Sequence, residues 1–316
     1  MSSSQPGSGP VEEDEFVQAV APLVEVISML TAAAAALFDR SQPAADSRAM
    51  SDLASESNLA DDQWPEPVLL VHSQISFATF ALLDHLRSFG RLFADEPVPV
   101  YTHFVVARAA LDVGGIAWWL LDPSIDLEAR VVRGQVVRLV AARELRRAPR
   151  SLVAAHQRGE AREAEIREGA RRRGWTVSGR NARGPVRIRD QEHPAPRSAI
   201  RAVLGHDDHP TLTVGDTLWW LLSGHTHGGM HALMQSMTIE PTNSPLEPSM
   251  AAIGTQASTT HILGGNLCQM FVRVMDARAE YLGRTSDEWV AAKASAQKYL
   301  RALVAAGDLT ESADPA

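Results

Sequence analysis

Apolar residues recur every three or four positions along most of the chain, the spacing that lines one face of an α-helix. The first such run extends from Glu12 to Arg40, and Pro22 within it predicts a kink or a helix start. Proline and small polar residues separate the later runs. Those runs predict helices at about residues 66–93, 99–121, 125–148, 150–173, 196–205, 213–236, 249–282 and 286–305. The pattern therefore predicts a mainly α fold, a helical bundle.

One segment departs from the helical pattern. Turn-forming glycines separate two short β-prone pieces, Trp175–Val177 and Val186–Ile188, which together suggest a small hairpin. We therefore expect the bundle to carry a short basic, partly β insertion. The predicted organisation is a disordered leader at 1–11, a bundle domain at 12–305 with the insertion at about 145–205, and a flexible tail at 306–316.

Positive charge is concentrated in residues 128–201, which hold 19 arginines against 8 aspartates and glutamates, although the whole chain carries a net charge of −8. Such a block can attract the phosphates of RNA or DNA. It can also be a solvated arm, because Glu and Arg recur there at helical spacing and can pair with each other. Trp175 is the only tryptophan, tyrosine or phenylalanine of the block, which favours the solvated arm. Nucleic-acid contact through the block stays open.

The sequence also bears on the compartment. Cys268 is the only cysteine, so the chain forms no intrachain disulfide, and this favours a reducing cytoplasm. The N-terminal stretch lacks a basic segment followed by an apolar one, so we expect no signal peptide. The most apolar run, Phe104–Leu121, is interrupted by Arg108 and Asp112, from which we expect no membrane span. Association into a homo-oligomer stays open.

Arg108 and Asp112 are themselves candidate functional residues. They stand four positions apart in an otherwise apolar helix, and a charge buried there must be paired or functional. One hypothesis is a mutual buried ion pair. The other is that Arg108 reaches across to a second polar element and forms a polar centre inside the bundle.

The second polar element is the stretch "LLSGHTHGGMHAL", residues 221–233. On a helix Ser223, His227 and His231 form one stripe, and His225 points elsewhere. Histidines four apart are a known metal-ligand spacing, but no third ligand and no neighbouring glutamate are specified, so we predict no metal and no other cofactor. We expect Ser223 and His227 to face the helix of Arg108, with Trp219 covering the polar centre.

Two motifs carry a resemblance to known proteins. The stretch "ARAALDVGGIAWWLLDPSIDLEARVVRG", followed later by "WWLLSGHTHG", resembles a group of actinobacterial helical proteins. More distantly, it resembles the DUF5677-type, HEPN-like helical families. Ser223, His227 and Gly228 stand at the Ser…His-Gly positions, and Arg108 with Asp112 at the Arg…acid positions, where the family more often has Glu. The resemblance covers about residues 66–282 and implies the fold and a polar centre.

Three classes of function follow from these residues. The first is a non-enzymatic helical module of a stress or defence system, in which Arg108, Asp112, Ser223 and His227 form a structural polar centre. The second is a HEPN-like, RNA-acting protein that uses Arg108 and His227 and grips RNA with the basic insertion. The third is a metal-dependent enzyme using His227 and His231. Whether the chain is an enzyme is left open at this point.

Overall fold

The computed structural model describes residues 13–39, 42–94, 98–99, 101–149, 151–178, 185–204, 214–227 and 257–305. Within these ranges the chain forms eleven helices and one small three-stranded sheet, which confirms the predicted mainly α bundle. The leader at 1–11 and the tail at 306–316 lie outside the described residues.

The helices follow the periodic runs of the sequence closely. Pro22 lies inside the first helix, which continues through it without a break. The predicted starts at 213 and 249, and residues 228–236, lie outside the described residues. The helices are α1 Glu13–Asp39, α2 Arg48–Ala54, α3 Glu56–Leu59, α4 Pro67–Arg91, α5 Thr102–Leu121, α6 Leu127–Arg146, α7 Val153–Arg172, α8 Pro196–Leu204, α9 Val214–Thr226, α10 Ala257–Leu282 and α11 Asp287–Ala305.

Side-chain caps define three of the described helix starts, and Ser47, which accepts from the Met50 amide, begins α2. Asp126 accepts a hydrogen bond from the Ala129 amide at 2.7 Å and so begins α6. Ser286 accepts from the Trp289 amide at 3.1 Å and begins α11. Each bond satisfies an amide that has no partner inside its own helix.

The main hydrophobic core lies between α1, α4, α5, α8, α9, α10 and α11. The helices approach most closely at glycines of α5. A Cβ atom on Gly115 would lie 2.8 Å from the Cβ of Ala199 on α8, and one on Gly114 would collide with Met270 of α10. A larger residue at either position would push these helices apart.

A second, smaller core joins α6 and α7 to the start of α4. It includes Trp64, Ile166 and Ile188, all nearly inaccessible to solvent. Ile188 comes from the antiparallel sheet of β1 Val177–Ser178, β2 Arg187–Ile188 and β3 Gln191–Glu192. A Cβ on Gly169 would lie 2.3 Å from Nε1 of Trp64, so the charged helix α7 rests directly on this tryptophan. By contrast α8 belongs to the main core, through Ile200.

Three helices in the described ranges are long and apolar enough to cross a membrane by length and composition, namely α1 over Glu15–Phe38, α4 and α5. The prediction of no membrane span is therefore wrong. It relied on Arg108 and Asp112, but these two charges pair with each other within α5, which lowers their cost in an apolar environment. Between 39% and 50% of the residues in these apolar windows are buried inside the fold.

Candidate functional site

Arg108 and Asp112 form the ion pair that their spacing allows. Arg108 Nε donates to Asp112 Oδ2 at 2.9 Å, and the arginine side chain is largely buried. Arg108 also reaches across to α9, where Nη1 donates to the Trp219 carbonyl at 3.3 Å and the guanidinium lies 4.8 Å from the centre of the indole ring. The ion pair is therefore present, but among the described residues Arg108 reaches α9 at Trp219 and not at the Ser223–His227 stripe.

The side of α9 that faces α5 differs from the predicted one. Leu218, Leu222 and His225 are buried, and the His225 ring stacks on Phe104 of α5 with centroids 3.9 Å apart. His227 is exposed, so the prediction that it faces the helix of Arg108 is wrong. The physical reason is that the leucines at 218 and 222 determine which side of α9 enters the core, and His225 follows them one turn later.

Ser223 occupies an intermediate position. Its side chain is half-buried, and its carbonyl accepts the His227 amide at 3.1 Å, which continues the helical hydrogen bonding to the end of α9. Among the described residues, Arg108 is hydrogen-bonded to neither Ser223 nor His227. The structure therefore brings Arg108, Asp112 and Trp219 together and leaves the Ser223–His227 pair beside this group.

His103 lies next to the His225 stack in the main core. It is fully buried, and its Nδ1 donates to the Pro99 carbonyl at 3.2 Å. Burial lowers the pKa of His103 to about 4, so the ring is neutral at physiological pH. Its Nε2 is buried without a hydrogen-bond partner. A neutral imidazole in this apolar setting behaves as an aromatic core residue.

Histidine, cysteine, aspartate and glutamate side chains form no group of three suited to a metal ion within the described ranges. His231, which the metal hypothesis pairs with His227, lies outside those ranges. His261 is held between the Tyr299 hydroxyl, 2.5 Å from Nδ1, and the Ala19 carbonyl, 3.0 Å from Nε2. Cys268 is fully buried and burial raises its pKa to about 12, which fits a structural thiol better than a nucleophile.

The arginines of the basic block are largely paired inside the protein. In residues 128–201, every described arginine except Arg158 and Arg162 lies within ion-pair distance of a carboxylate. A phosphate bound here would have to compete with these carboxylates. The arrangement therefore corresponds to the mixed-sign surface that the helical spacing of Glu and Arg predicts.

The densest of these pairings surrounds Glu163 on α7. Its carboxylate, buried between α6 and α7, accepts from Arg146 Nη1 at 2.5 Å and from Arg167 Nη2 at 2.8 Å, and Arg143 Nε lies 3.7 Å away. Burial opposes the charge of Glu163, yet the hydrogen bonds from Arg146 and Arg167 hold its pKa below the ordinary value. This cluster ties α7 to α6.

Three arginines converge on the carbonyl end of α5. Arg130 donates to the Leu120 carbonyl at 2.6 Å and Arg133 to the Trp119 carbonyl at 2.5 Å, while Arg48 binds two carbonyls just beyond the helix. The last carbonyls of a helix lack partners inside it and favour positive charge. These arginines therefore have a structural explanation.

A buried hydrogen-bonded chain lies beside this arginine cluster. The Tyr281 hydroxyl of α10 donates to Asp52 Oδ2 of α2 at 2.7 Å and lies 2.8 Å from His72 Nε2 of α4. Arg130 of α6 completes the group, with Nε 3.5 Å from the same Asp52 oxygen and its guanidinium 4.8 Å from the centre of the tyrosine ring. Four helices thus meet at one tyrosine.

The protons of this chain have one consistent arrangement. Since the single Tyr281 proton goes to Asp52, the hydroxyl accepts from His72, whose Nε2 must then carry a hydrogen. Burial raises the pKa of Tyr281 well above its ordinary value, and the bond to Asp52 adds to the rise. Burial also lowers the pKa of His72, although the Asp52 charge opposes this. Tyrosine and histidine are both neutral at physiological pH.

Two cavities run along α10. Tyr281 lines the smaller, of about 330 Å³, whose charged lining residues are Arg48, Arg273, Asp276 and Glu280. The larger, of about 940 Å³, lies where α8 and α9 approach α10 and α11. Arg273 and Asp276 line both, so the two cavities meet at these residues. Volumes in this range accommodate small molecules.

α10 contributes a row of polar side chains to this cavity system. Asn266, Gln269, Arg273 and Asp276 follow one another at three- and four-residue spacing and are all half-buried. Most of the fully buried residues of α10 are apolar and belong to the main core. The row is therefore the side of α10 on which a polar ligand could bind.

Arg273, at the centre of this row, has no carboxylate within ion-pair distance among the described residues, and its Nη1 donates to the Val203 carbonyl. The same lack of a carboxylate partner holds for Arg48 at the smaller cavity and for Arg301 at the larger. All three therefore differ from most of the described arginines of the basic block, Arg158 and Arg162 excepted.

Asp276 does not neutralise Arg273, although it lies one helical turn away. Its carboxylate is held by Lys293 at 3.1 Å and by Nε1 of Trp289 at 2.9 Å, both from α11. The junction of the two cavities thus presents an arginine whose remaining donors have no partner among the residues that the structure describes.

No family model, curated protein or solved structure matches this chain.

Sequence reasoning missed the α10 cavities and the Tyr281 chain. A signal for the first was present, since Asn266, Gln269, Arg273 and Asp276 form a helical stripe of polar residues inside an otherwise apolar run. Nothing local in the sequence connects Tyr281 with Asp52, which are 229 residues apart.

Proposed function

We propose that the protein is a helical binding module that takes a small acidic molecule into the cavities along α10. The observation that carries the proposal is Arg273, a half-buried cation at the junction of both cavities with no carboxylate partner among the described residues. The proposal belongs to the first of the three classes that the sequence suggests, the non-enzymatic module.

The physical support is the cost of an uncompensated cation. A charge withdrawn from water is unfavourable unless an opposite charge or hydrogen bonds replace the lost solvation. Among the described residues no carboxylate pairs with Arg273, which donates to the Val203 carbonyl near the end of α8, so an acidic molecule in the cavity would supply the missing opposite charge. A guanidinium can bind a carboxylate or phosphate with two parallel hydrogen bonds.

Binding is better supported than catalysis. The Tyr281 hydroxyl is held protonated by burial and by its bond to Asp52, and His72 is held neutral with its Nε2 hydrogen engaged. Tyr281 therefore lines the smaller cavity as a fixed hydrogen-bonded group rather than as a nucleophile or base poised to react. A cytoplasmic location and HEPN-like kinship remain predictions, which rest on the single cysteine and on the resemblance.

The test uses 1-anilinonaphthalene-8-sulfonate, an organic acid whose fluorescence reports binding in an apolar cavity. We expect saturable binding to the folded wild-type protein and an affinity at least 10-fold lower in Arg273→Gln, because a hydrogen-bonded charge pair contributes about 1.5–3 kcal/mol. Arg158→Gln removes an unpaired arginine of α7 that lines neither cavity and serves as the matched control. Equal affinities of wild type and Arg273→Gln, or no saturable binding to wild type, would refute the proposal.

A further inference from the structure

We infer that the ligand is a single-chain amphiphile, with an acidic head group at Arg273 and an aliphatic chain in the larger cavity. The inference rests on the proposed function and adds to it the chemical class of the ligand.

The aliphatic walls of the larger cavity favour an aliphatic chain as part of the ligand. Side chains from three helices face the polar row of α10 across the cavity: Leu204 of α8, Leu218 of α9, and Leu300, Leu303 and Val304 of α11. Burial of a methylene group among such side chains contributes about 0.8 kcal/mol. A chain lying against them would remove apolar surface from water on both partners.

The lining also distinguishes among acidic ligands. None of the described residues around the larger cavity is phenylalanine, tryptophan or tyrosine. Proteins that bind bases or other flat rings usually provide aromatic side chains on which the rings stack. A nucleotide would find a partner for its phosphate at Arg273 but no phenylalanine, tyrosine or tryptophan for its base among the described lining residues, whereas an alkyl chain requires only aliphatic contact.

The cavities are arranged so that head and chain can bind together. Arg273 lies where the cavities meet, while the Arg48 guanidinium in the smaller one already donates to the Pro123 and Ile125 carbonyls. Along the larger cavity Val304, which is 63% exposed, lies at the solvent end. An amphiphile can therefore bind its head at Arg273 and extend its chain along α11 towards Val304. Carboxylate and phosphate heads share this chemistry, and the experiment separates them.

The first measurement is calorimetric titration of wild-type protein with saturated carboxylates of about 8, 10, 12 and 14 carbons, each kept below its micelle concentration. We expect affinity to rise by about fourfold for each added methylene, the factor that 0.8 kcal/mol gives, until the chain reaches solvent. Affinity that does not change with chain length would overturn the inference.

The second measurement varies the head group at fixed chain length. Dodecanoate and dodecyl phosphate should bind at least 10-fold more tightly than dodecanol and dodecyltrimethylammonium, and Arg273→Gln should abolish this preference while leaving dodecanol binding unchanged. Whichever of dodecanoate and dodecyl phosphate binds with the higher affinity identifies the head group. Equal affinity for all four compounds would mean unspecific adsorption to apolar surface and would overturn the inference.

A variant tests the location of the chain. Gln269→Trp places an indole in the larger cavity and should weaken dodecanoate binding at least 10-fold, whereas Val290→Trp, at an exposed position of α11 outside the lining, should not. Equal effects of the two substitutions would count against the cavity. If Gln269→Trp fails to fold, the chain-length and head-group series on wild type still decide whether the ligand is an acidic amphiphile.

The results of these experiments distinguish a failure of this inference from a failure of the proposed function. Arg273-dependent binding of the anilinonaphthalene sulfonate without any binding of alkyl acids would leave the proposed function standing and refute the amphiphile. If the protein binds neither the anilinonaphthalene sulfonate nor the alkyl acids, both the proposed function and the amphiphile inference are refuted.

Discussion

The imidazole of His225 lies flat against the ring of Phe104, with centroids 3.9 Å apart and 18° between the ring planes. This contact fixes the orientation of α9 on α5. It also means that the inward-facing histidine of the "SGHTHG" stretch is His225, while His227 is exposed.

His225→Ala should therefore destabilise the protein and His227→Ala should not. Removing the buried ring deletes aromatic contact and leaves a cavity, at a cost of about 2–3 kcal/mol in the free energy of unfolding. Replacing the exposed ring should change that free energy by less than about 0.5 kcal/mol. Urea unfolding of the two variants measures both values, and an equal loss in His227→Ala would contradict the orientation of α9.

His103 should make stability depend on pH. Its pKa is about 4 in the fold against 6.5 ordinarily, so between these values the unfolded chain binds more protons than the folded one. The free energy of unfolding should thus fall as the pH falls from about 6.5 towards 4, by about 2 kcal/mol at pH 5 for this group alone, and level off below.

The variant His103→Phe should remove this contribution. Compared with wild type, the loss of stability between pH 7 and pH 5 should shrink by about 2 kcal/mol, and His156→Phe, on the surface of α7, should leave it unchanged. The remaining slope belongs in part to His72 and His193, whose pKa values burial also lowers. An unchanged slope in His103→Phe would mean that His103 is protonated in the fold.

Helix positions could be predicted from the sequence because they depend on local periodicity. The spans of α5 and α11 are examples, since the pattern of each lies within one continuous segment. The orientation of α9 was mispredicted because the polar stripe of Ser223 and His227 was given more weight than Leu218 and Leu222. Burial of apolar side chains contributes more to the packing of a helix than a polar contact does.

The α10 cavities depend on information that no single segment contains. The half-buried row of α10 becomes a cavity wall only because Leu204, Leu218 and Leu300 approach it from three other helices. Likewise Arg273 is distinguished by lining both cavities without an ion pair to a described carboxylate, a combination that depends on the whole fold. Sequence patterns can mark such residues as polar but cannot say which of them lack a partner.

Glu163 should hold the α6–α7 unit together. Glu163→Gln removes the buried charge that three arginines share, and leaving them uncompensated should cost about 3 kcal/mol. Hydrogen exchange should accelerate in α6 and α7 and stay unchanged in α10. Glu160→Gln, which alters an exposed carboxylate of the same helix, is the control. Exchange that accelerates everywhere, or not at all, would contradict this account of the cluster.

Arg278 lies on the same helix as Arg273 and also lacks a described carboxylate partner, but it lines neither the larger nor the smaller cavity. Burial lowers its pKa to about 10, no described carboxylate pairs with it, and it contacts the Thr79 hydroxyl at 2.7 Å and the Phe38 ring at 3.9 Å. The cost of burying this cation exceeds the roughly 0.5–2 kcal/mol that such a ring contact returns, so Arg278→Met should raise the free energy of unfolding by about 1 kcal/mol. Because Arg278 lines neither α10 cavity, ligand binding should be unaffected. Urea unfolding at pH 7 decides the point, and a less stable Arg278→Met would mean that the contacts with Phe38 and Thr79 outweigh the burial of charge.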